Sequence, residues 1–192
     1  PAGGQLTFGR AGTGTIQFPN ATRNTQSAAT IEVLNANANN QIAASVDLFR
    51  SDGNRLLGSY NGFIVNDAAP TTDDVGTDVI IPLAIKHSSG FYSVIGVQNL
   101  EGVAADVQIH YLGSTEQGTP VDVTVTLPQV TNAGFHSTYD TSTNIPIDFV
   151  GYARVTSTKK IAALLVRGKQ TSYLSGENEP TYTAVNGVPA DQ

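Results

Sequence analysis

Residues 91–112, FYSVIGVQNLEGVAADVQIHYL, alternate apolar and polar side chains with a period of two, a pattern that few folds accept. Val94, Gly96 and Gln98 alternate with Ile95, Val97 and Asn99. Beyond Leu100-Glu101-Gly102, Val107, Ile109 and Tyr111 alternate with Asp106, Gln108 and His110. Successive side chains of an extended chain point to opposite faces, so each segment reads as a strand with one side on a core. Together they predict a hairpin that turns at residues 100–102. A second such unit follows at 149–166, FVGYARVTSTKKIAALLV: a strand over 150–155, a polar turn at 156–160 and an apolar run at 161–166. Ala162, Ala163, Leu164 and Leu165 are good helix formers, but the β-branched ends and the short span between polar boundaries favour a buried strand.

Composition agrees with many short strands. Charged residues are only 14% of the 192, and 19 glycines punctuate a chain rich in Thr, Ser, Asn and Val. The expected fold is all-β: a two-sheet antiparallel sandwich, Ig-like or jelly-roll-like, with Ile95, Val97, Val107, Ile109, Val123, Val125, Val155, Leu164 and Val166 in its core. No span approaches the roughly 18 consecutive apolar residues of a membrane helix, so membrane insertion is not expected. The absence of Cys excludes disulfides and thiolate metal sites. An opening Pro1 without Met reads as a processed mature form or an excised fragment; removal of an export signal is the expectation, and with it an extracellular or cell-surface location.

The net charge of −6 and pI near 4.8 oppose nucleic-acid binding, which demands a basic footprint. The charges are segregated: Arg154, Lys159, Lys160, Arg167 and Lys169 are half of the ten basic residues, while Asp67, Asp73, Asp74 and Asp78 occupy a stretch without a base. Two solvated loops explain this, and so does electrostatic matching between neighbouring subunits. Asp73, Asp74 and Asp78 also invite a calcium reading, because hard cations take carboxylate oxygens from flexible loops; the EF-hand spacing is missing, and an ordinary acidic loop is the plainer reading. No other cofactor is expected.

Residues 1–14, PAGGQLTFGRAGTG, form a Gly-rich N-terminal extension with Leu6 and Phe8 on one side of a potential strand. Residues 15–18 alternate briefly before Pro19, and Asn20-Ala21-Thr22 is a glycosylation sequon of a kind that often occurs by chance. Strands are predicted at 29–35, 42–49 and 55–60, the last two joined through Asp52-Gly53. Pro82, inside the apolar run 79–85, points to an edge position or a bulge. Residues 121–127 alternate cleanly, 131–144 read as loop with an extended piece around Phe135, and the polar tail 168–192 holds one strand-like piece at 182–185. Ile31-Glu32-Val33-Leu34-Asn35 aligns with Ile95-Gly96-Val97-Gln98-Asn99, and Ser45-Val46-Asp47-Leu48-Phe49 with Asp106-Val107-Gln108-Ile109-His110, a degenerate internal repeat of residues 28–65 and 92–127. The whole chain reads as a single sandwich unit, with two small sandwiches split near 66–78 as the alternative.

Several of these blocks together carry a resemblance. IPLAIKHSSGFYSVIGVQNLEG, followed by Tyr111, Thr126-Leu127-Pro128 and FVGYARVTS, resembles a tandem β-sandwich repeat of secreted and surface proteins of filamentous thermophilic bacteria. Tyr60-Asn61-Gly62 matches the spacer between its units, and YTAVNG at 182–187 is a diluted second copy. The resemblance spans residues 60–187. Gly90-Phe91 stands where the repeat has Gly-Trp, and Lys160 where a Ser-x-x-Pro turn has its Pro. It implies an extracellular sandwich and carries no catalytic residues.

His87, His110 and His136 show no metal-ligand spacing, and the nucleophile elbow, phosphate loop and dinucleotide fingerprint are all missing, so no enzyme is expected. The leading expectation is a structural subunit of an extracellular filament or surface layer whose partner is another copy of itself. The alternatives are a carbohydrate-binding or adhesive module that meets surface glycans, and a passive spacer. Open sheet edges recruit strands, and Gln5, Leu6, Thr7 and Phe8 are expected to supply one to the next subunit by β-strand addition. Head-to-tail contacts that do not close generate filaments.

Overall fold

A computed structural model of the chain describes residues 7–8, 15–16, 45–49, 56–63, 65, 74–86, 90–138, 140, 142–169 and 182–190. Among them are twelve strands and no α-helix, as the alternation requires. The chain divides into two compact units, Pro1–Glu32 and Val33–Gln192. The described residues of the first unit are β1 (Thr7–Phe8) and β2 (Thr15–Ile16), which pair in parallel with Thr7 opposite Thr15.

In the second unit β3 (Ser45–Phe49) and β4 (Leu56–Asn61) form an antiparallel pair, as the sequence predicts, although Asp52-Gly53 lies outside the described residues. The remaining strands are β5 (Gly76–Lys86), β6 (Phe91–Asn99), β7 (Ala105–Thr115), β8 (Pro120–Val130), β9 (Ala133–Ser137), β10 (Phe149–Lys169), β11 (Tyr182–Asn186) and β12 (Val188–Pro189). They make one antiparallel, nearly closed, barrel-like sheet organised by β10. The first half of this 21-residue strand lies between β5 and β7, and its second half lies between β6 and β11. Because β5 also meets β6 where Lys86 faces Tyr92, the path through β5, β6 and β10 returns on itself.

Two predicted turns are corrected by this arrangement. The polar stretch 156–160 is a bend inside β10, where pairing with β5 slips between Thr156 and Ile161. The segments flanking residues 100–104 dock on that bend. The Leu100 N–H donates to the Lys160 carbonyl at 3.1 Å, the Lys160 N–H to Glu101 Oε1 at 2.9 Å, and the Asp106 N–H to Thr158 Oγ1 at 3.1 Å. With these groups satisfied, the strand crosses the polar stretch without turning back. Nor are β6 and β7 a hairpin, because β10 lies between them in the sheet. The intervening corner is tied by Asn99, whose Nδ2 donates to the carbonyls of Val103 (2.7 Å) and Val130 (2.8 Å) while its Oδ1 accepts the Glu101 N–H at 2.9 Å.

The core follows parity. Ile95, Val97, Val107, Ile109 and Val155 are buried as expected, and Val123 and Val125 pack half-buried against them. Leu164 and Val166 are only half-buried; Ile161, Ala163 and Leu165 take the core instead. The reason is that odd positions face inward in both halves of β10, at Phe149, Ala153 and Val155 and again at Ile161, Ala163 and Leu165, while Ser157 and Lys159 between them are only half-buried. An all-apolar run carries no phase of its own. Pro82 does sit at a bulge, since Ile81 and Ala84 on β5 face Ala153 and Gly151, three residues of advance against two.

Glycines in the sheet are covered by aromatic rings. Gly113 faces Gly151 across β7 and β10 under Phe149, Gly168 faces Tyr92, and Gly96 faces Phe135. The ring shields ladder backbone that a missing side chain would leave bare, which accounts for the Phe-Val-Gly block at 149–151.

Candidate functional site

The described surface offers an open sheet edge. β8, PVDVTVTLPQV, pairs with β7 from Ser114 opposite Pro120 to Ala105 opposite Val130, and among the described residues its other edge has no strand beside it. Alternation places Asp122, Thr124 and Thr126 outward and Val121, Val123, Val125 and Leu127 inward. Val123, Val125 and Leu127 touch the core yet remain only half-buried. Prolines 120 and 128 bracket this span. Beyond it the register slips, Gln129 turns to a φ of 52°, and its N–H and Nε2 both donate to Asp106 Oδ1 at 3.1 and 3.2 Å. At that end β9 approaches: a Cβ on Gly134 would lie 3.1 Å from Val130 Cγ2 and 3.3 Å from Leu127 Cδ1. The edge is thus covered near residues 127–130 and open along 121–125.

The expected site residues fall as follows. Thr7 and Phe8 form β1 and pair with Thr15 and Ile16 of the same chain, while Gln5, Leu6, Asn20 and Asp73 lie outside the described residues. Asp78 is claimed by Arg154, whose Nε donates to Oδ1 and Oδ2 at 2.9 and 3.0 Å and whose Nη2 also donates to Oδ2. These hydrogen bonds hold the Asp78 carboxyl below its usual range. Among the described residues no three His, Asp or Glu side chains converge as metal ligands. This pair joins one residue of the basic span to one of the acidic stretch within the chain. Lys159 pairs elsewhere, 3.5 Å from Glu101.

Sequence reasoning missed a buried polar cluster where β5, β6, β7 and β9 come together. Thr138 Oγ1 donates to the Ile85 carbonyl at 2.7 Å and accepts the Ser93 N–H at 3.1 Å, and Ser93 Oγ accepts the Ile85 N–H at 3.0 Å. Lys86 Nζ donates to the Ile145 carbonyl at 2.7 Å, pinning residues 142–148 over the cluster. Tyr111 and His136 meet at 2.7 Å between hydroxyl and Nδ1. Burial raises the phenol's pKa and lowers that of the imidazole, so both are neutral near pH 7. Which of the two donates depends on the imidazole tautomer, and in either case Nε2 is a buried atom with no hydrogen-bond partner among the described residues. One signal was legible: Tyr111 continues the apolar parity of β7, so its hydroxyl required a buried partner.

This geometry sets a pH dependence. The folded-state pKa of His136 lies below the ordinary 6.5, so the unfolded chain binds the proton more readily. The stabilisation is fully present above about pH 6.5 and is lost as pH falls through the lower folded pKa. Thermal melts should therefore decline as pH falls below about 6.5, the ordinary imidazole value. His136→Gln should flatten that part of the profile; an unchanged decline in the variant would assign it elsewhere.

No protein-family model and no curated protein matches the chain. Among solved structures, the crystal structure of Thermotoga maritima 1070 aligns with a TM-score of 0.43 and 15% identity, covering 58% of this chain and 92% of that one.

Proposed function

We propose that the chain is a structural subunit of an extracellular filament or surface layer, a jelly-roll-like sandwich joined head-to-tail to copies of itself by β-strand addition. The observation that carries this reading is the β8 edge, whose inward-facing valines are half-buried and whose outer ladder is unpaired among the described residues. Between its bracketing prolines this edge strand carries a single charge, Asp122, and neither proline nor lysine, so protection against added strands is concentrated at its ends. The resemblance of residues 60–187 to tandem extracellular repeats supports the same reading. The blocks that carry the resemblance have structural roles here, with Asn99 tying a corner and Phe149 packing over paired glycines.

The test compares the full chain with a form lacking residues 1–14, by sedimentation and electron microscopy. The full chain is expected to form polymers and the shortened form to remain dispersed with an unchanged circular dichroism spectrum. Equal polymerisation of both would remove the N-terminal strand from the mechanism.

A second reading, carbohydrate binding, is favoured by one observation: Tyr152 is 41% exposed on the outer face of β10, flanked in sequence by Arg154 and opposite Leu112. An exposed ring on a sheet is a stacking platform for a sugar. Retention on a glycan array that Tyr152→Ala abolishes is the expected mark of this reading.

A further inference from the structure

Building on the assembly reading above, we propose that the acceptor is the edge of β8 between Pro120 and Pro128, and that its occupant is the segment Gln5–Leu6–Thr7–Phe8 of a second copy. The other edges fit an added strand less well. β12 has two residues, β9 has five, and beside the five-residue β11 the Asn186 side chain is already bonded to the Asn61 carbonyl of β4 at 3.1 Å. Among the described strands of this sheet, β8 combines length with inward residues that the existing sheet leaves partly uncovered.

The sequences are complementary in pattern. Leu6 and Phe8 are two apart, as are Val123 and Val125, so a strand laid along β8 places both sets on the core side. Gln5 and Thr7 then stand outward beside Thr124 and Thr126, where polar cross-strand pairs are favourable. Residues 1–9 carry no charged side chain, and Asp122, which points outward, is the one charge in 120–127. Strand addition therefore buries no unpaired charge. The four donor residues need roughly 13 Å of edge, and the open stretch 121–125 offers roughly 17 Å. Pairing of Thr7 and Phe8 with Thr15 and Ile16 occupies one edge of β1, and a strand has two. The donor also belongs to a compact unit, Pro1–Glu32, distinct from the one that holds the acceptor, the division of labour that a head-to-tail chain requires.

The chain has no cysteine, so cross-linking can test the pairing directly. Residues directly opposed in a ladder bring their Cα atoms to about 4.5–5.5 Å, within disulfide range. A protein carrying Thr7→Cys is mixed with one carrying Asp122→Cys, Thr124→Cys or Thr126→Cys, oxidised, and run without reductant. The expected result is a covalent heterodimer, abundant with one or two neighbouring β8 positions and at least tenfold weaker when Thr115→Cys, away from the open edge, is the partner. Thr124→Pro and Val125→Pro serve as a second measurement. Neighbouring N–H groups point to opposite edges, so one of the two removes only a free-edge donor and should block assembly while the fold persists. Polymers that form without any β8 cross-link overturn this acceptor and leave the assembly reading standing. A full chain that never assembles removes that reading itself. When Thr7→Cys and Thr124→Cys are placed in one chain, a cross-linked monomer as the main product at high dilution shows the strand pairing within its own subunit and overturns the proposal.

Discussion

Val107→Asp is expected to leave no folded protein. Val107 is fully buried near the start of β7, between Ser157 of β10 and Leu127 of β8. Leaving even a neutral polar group unsatisfied in such a place costs roughly 2–7 kcal/mol, and an ionised carboxylate costs more. The total stability of a domain is only about 5–15 kcal/mol. Protonation would lower the penalty without supplying a hydrogen-bond partner. The expected readout is loss of the cooperative thermal transition and of soluble yield. Gln108→Asp is the control. It puts the same carboxylate one residue along, on the exposed face, where the change should stay within about 0.5 kcal/mol. If both variants melted like the parent, the inward parity assigned to β7 would be wrong.

Gly151→Ala ranks next, although it adds a single carbon. Gly151 and Gly113 face each other across β10 and β7. A Cβ on Gly151 would overlap the Leu112 carbonyl oxygen and stand 2.8 Å from both Gly113 Cα and Phe149 Cε2. The obstacles are chiefly backbone, so relief requires β10 and β7 to separate in the middle of their ladder. Overpacking of a core typically costs about 1–3 kcal/mol, and a clash with backbone belongs at or beyond the upper end. In a chain of this size 3 kcal/mol corresponds to a fall in Tm of about 6–12 °C. Gly102→Ala, at a corner position with nothing within 4 Å of the added carbon, should melt like the parent. The contrast separates crowding from the general cost of replacing glycine. Equal melting temperatures for the two variants would show that the strands lie farther apart than the Gly–Gly pair implies.

Both predictions depend on which faces and neighbours the chain acquires, and these came from different sources. The inward face of β7 was legible from Val107, Ile109 and Tyr111 alone, because alternation in an extended chain is local geometry. So were the interruption at Pro82, read as an edge position or a bulge, and the extended piece around Phe135. The open edge was legible only in part: residues 121–127 announced a strand, but nothing in them said that it would have no second neighbour among the described residues.

The amino-acid sequence by itself determined the elements, the faces of its alternating strands, and the residues able to fill a core. Tertiary structure alone decided the partners. The segment 91–112 looks like a hairpin because period-two patterning describes each strand and is silent on what lies between them; here β10 does. The run 161–166 could not report its own phase, since every side chain in it is apolar, and it took its phase from Val155 through a bend held by Glu101 and Thr158. Asn99 and His136 had no sequence signature for the same reason. Their roles come from carbonyls and hydroxyls far along the chain, at Val130 and Tyr111, which only the folded sheet brings within hydrogen-bonding distance.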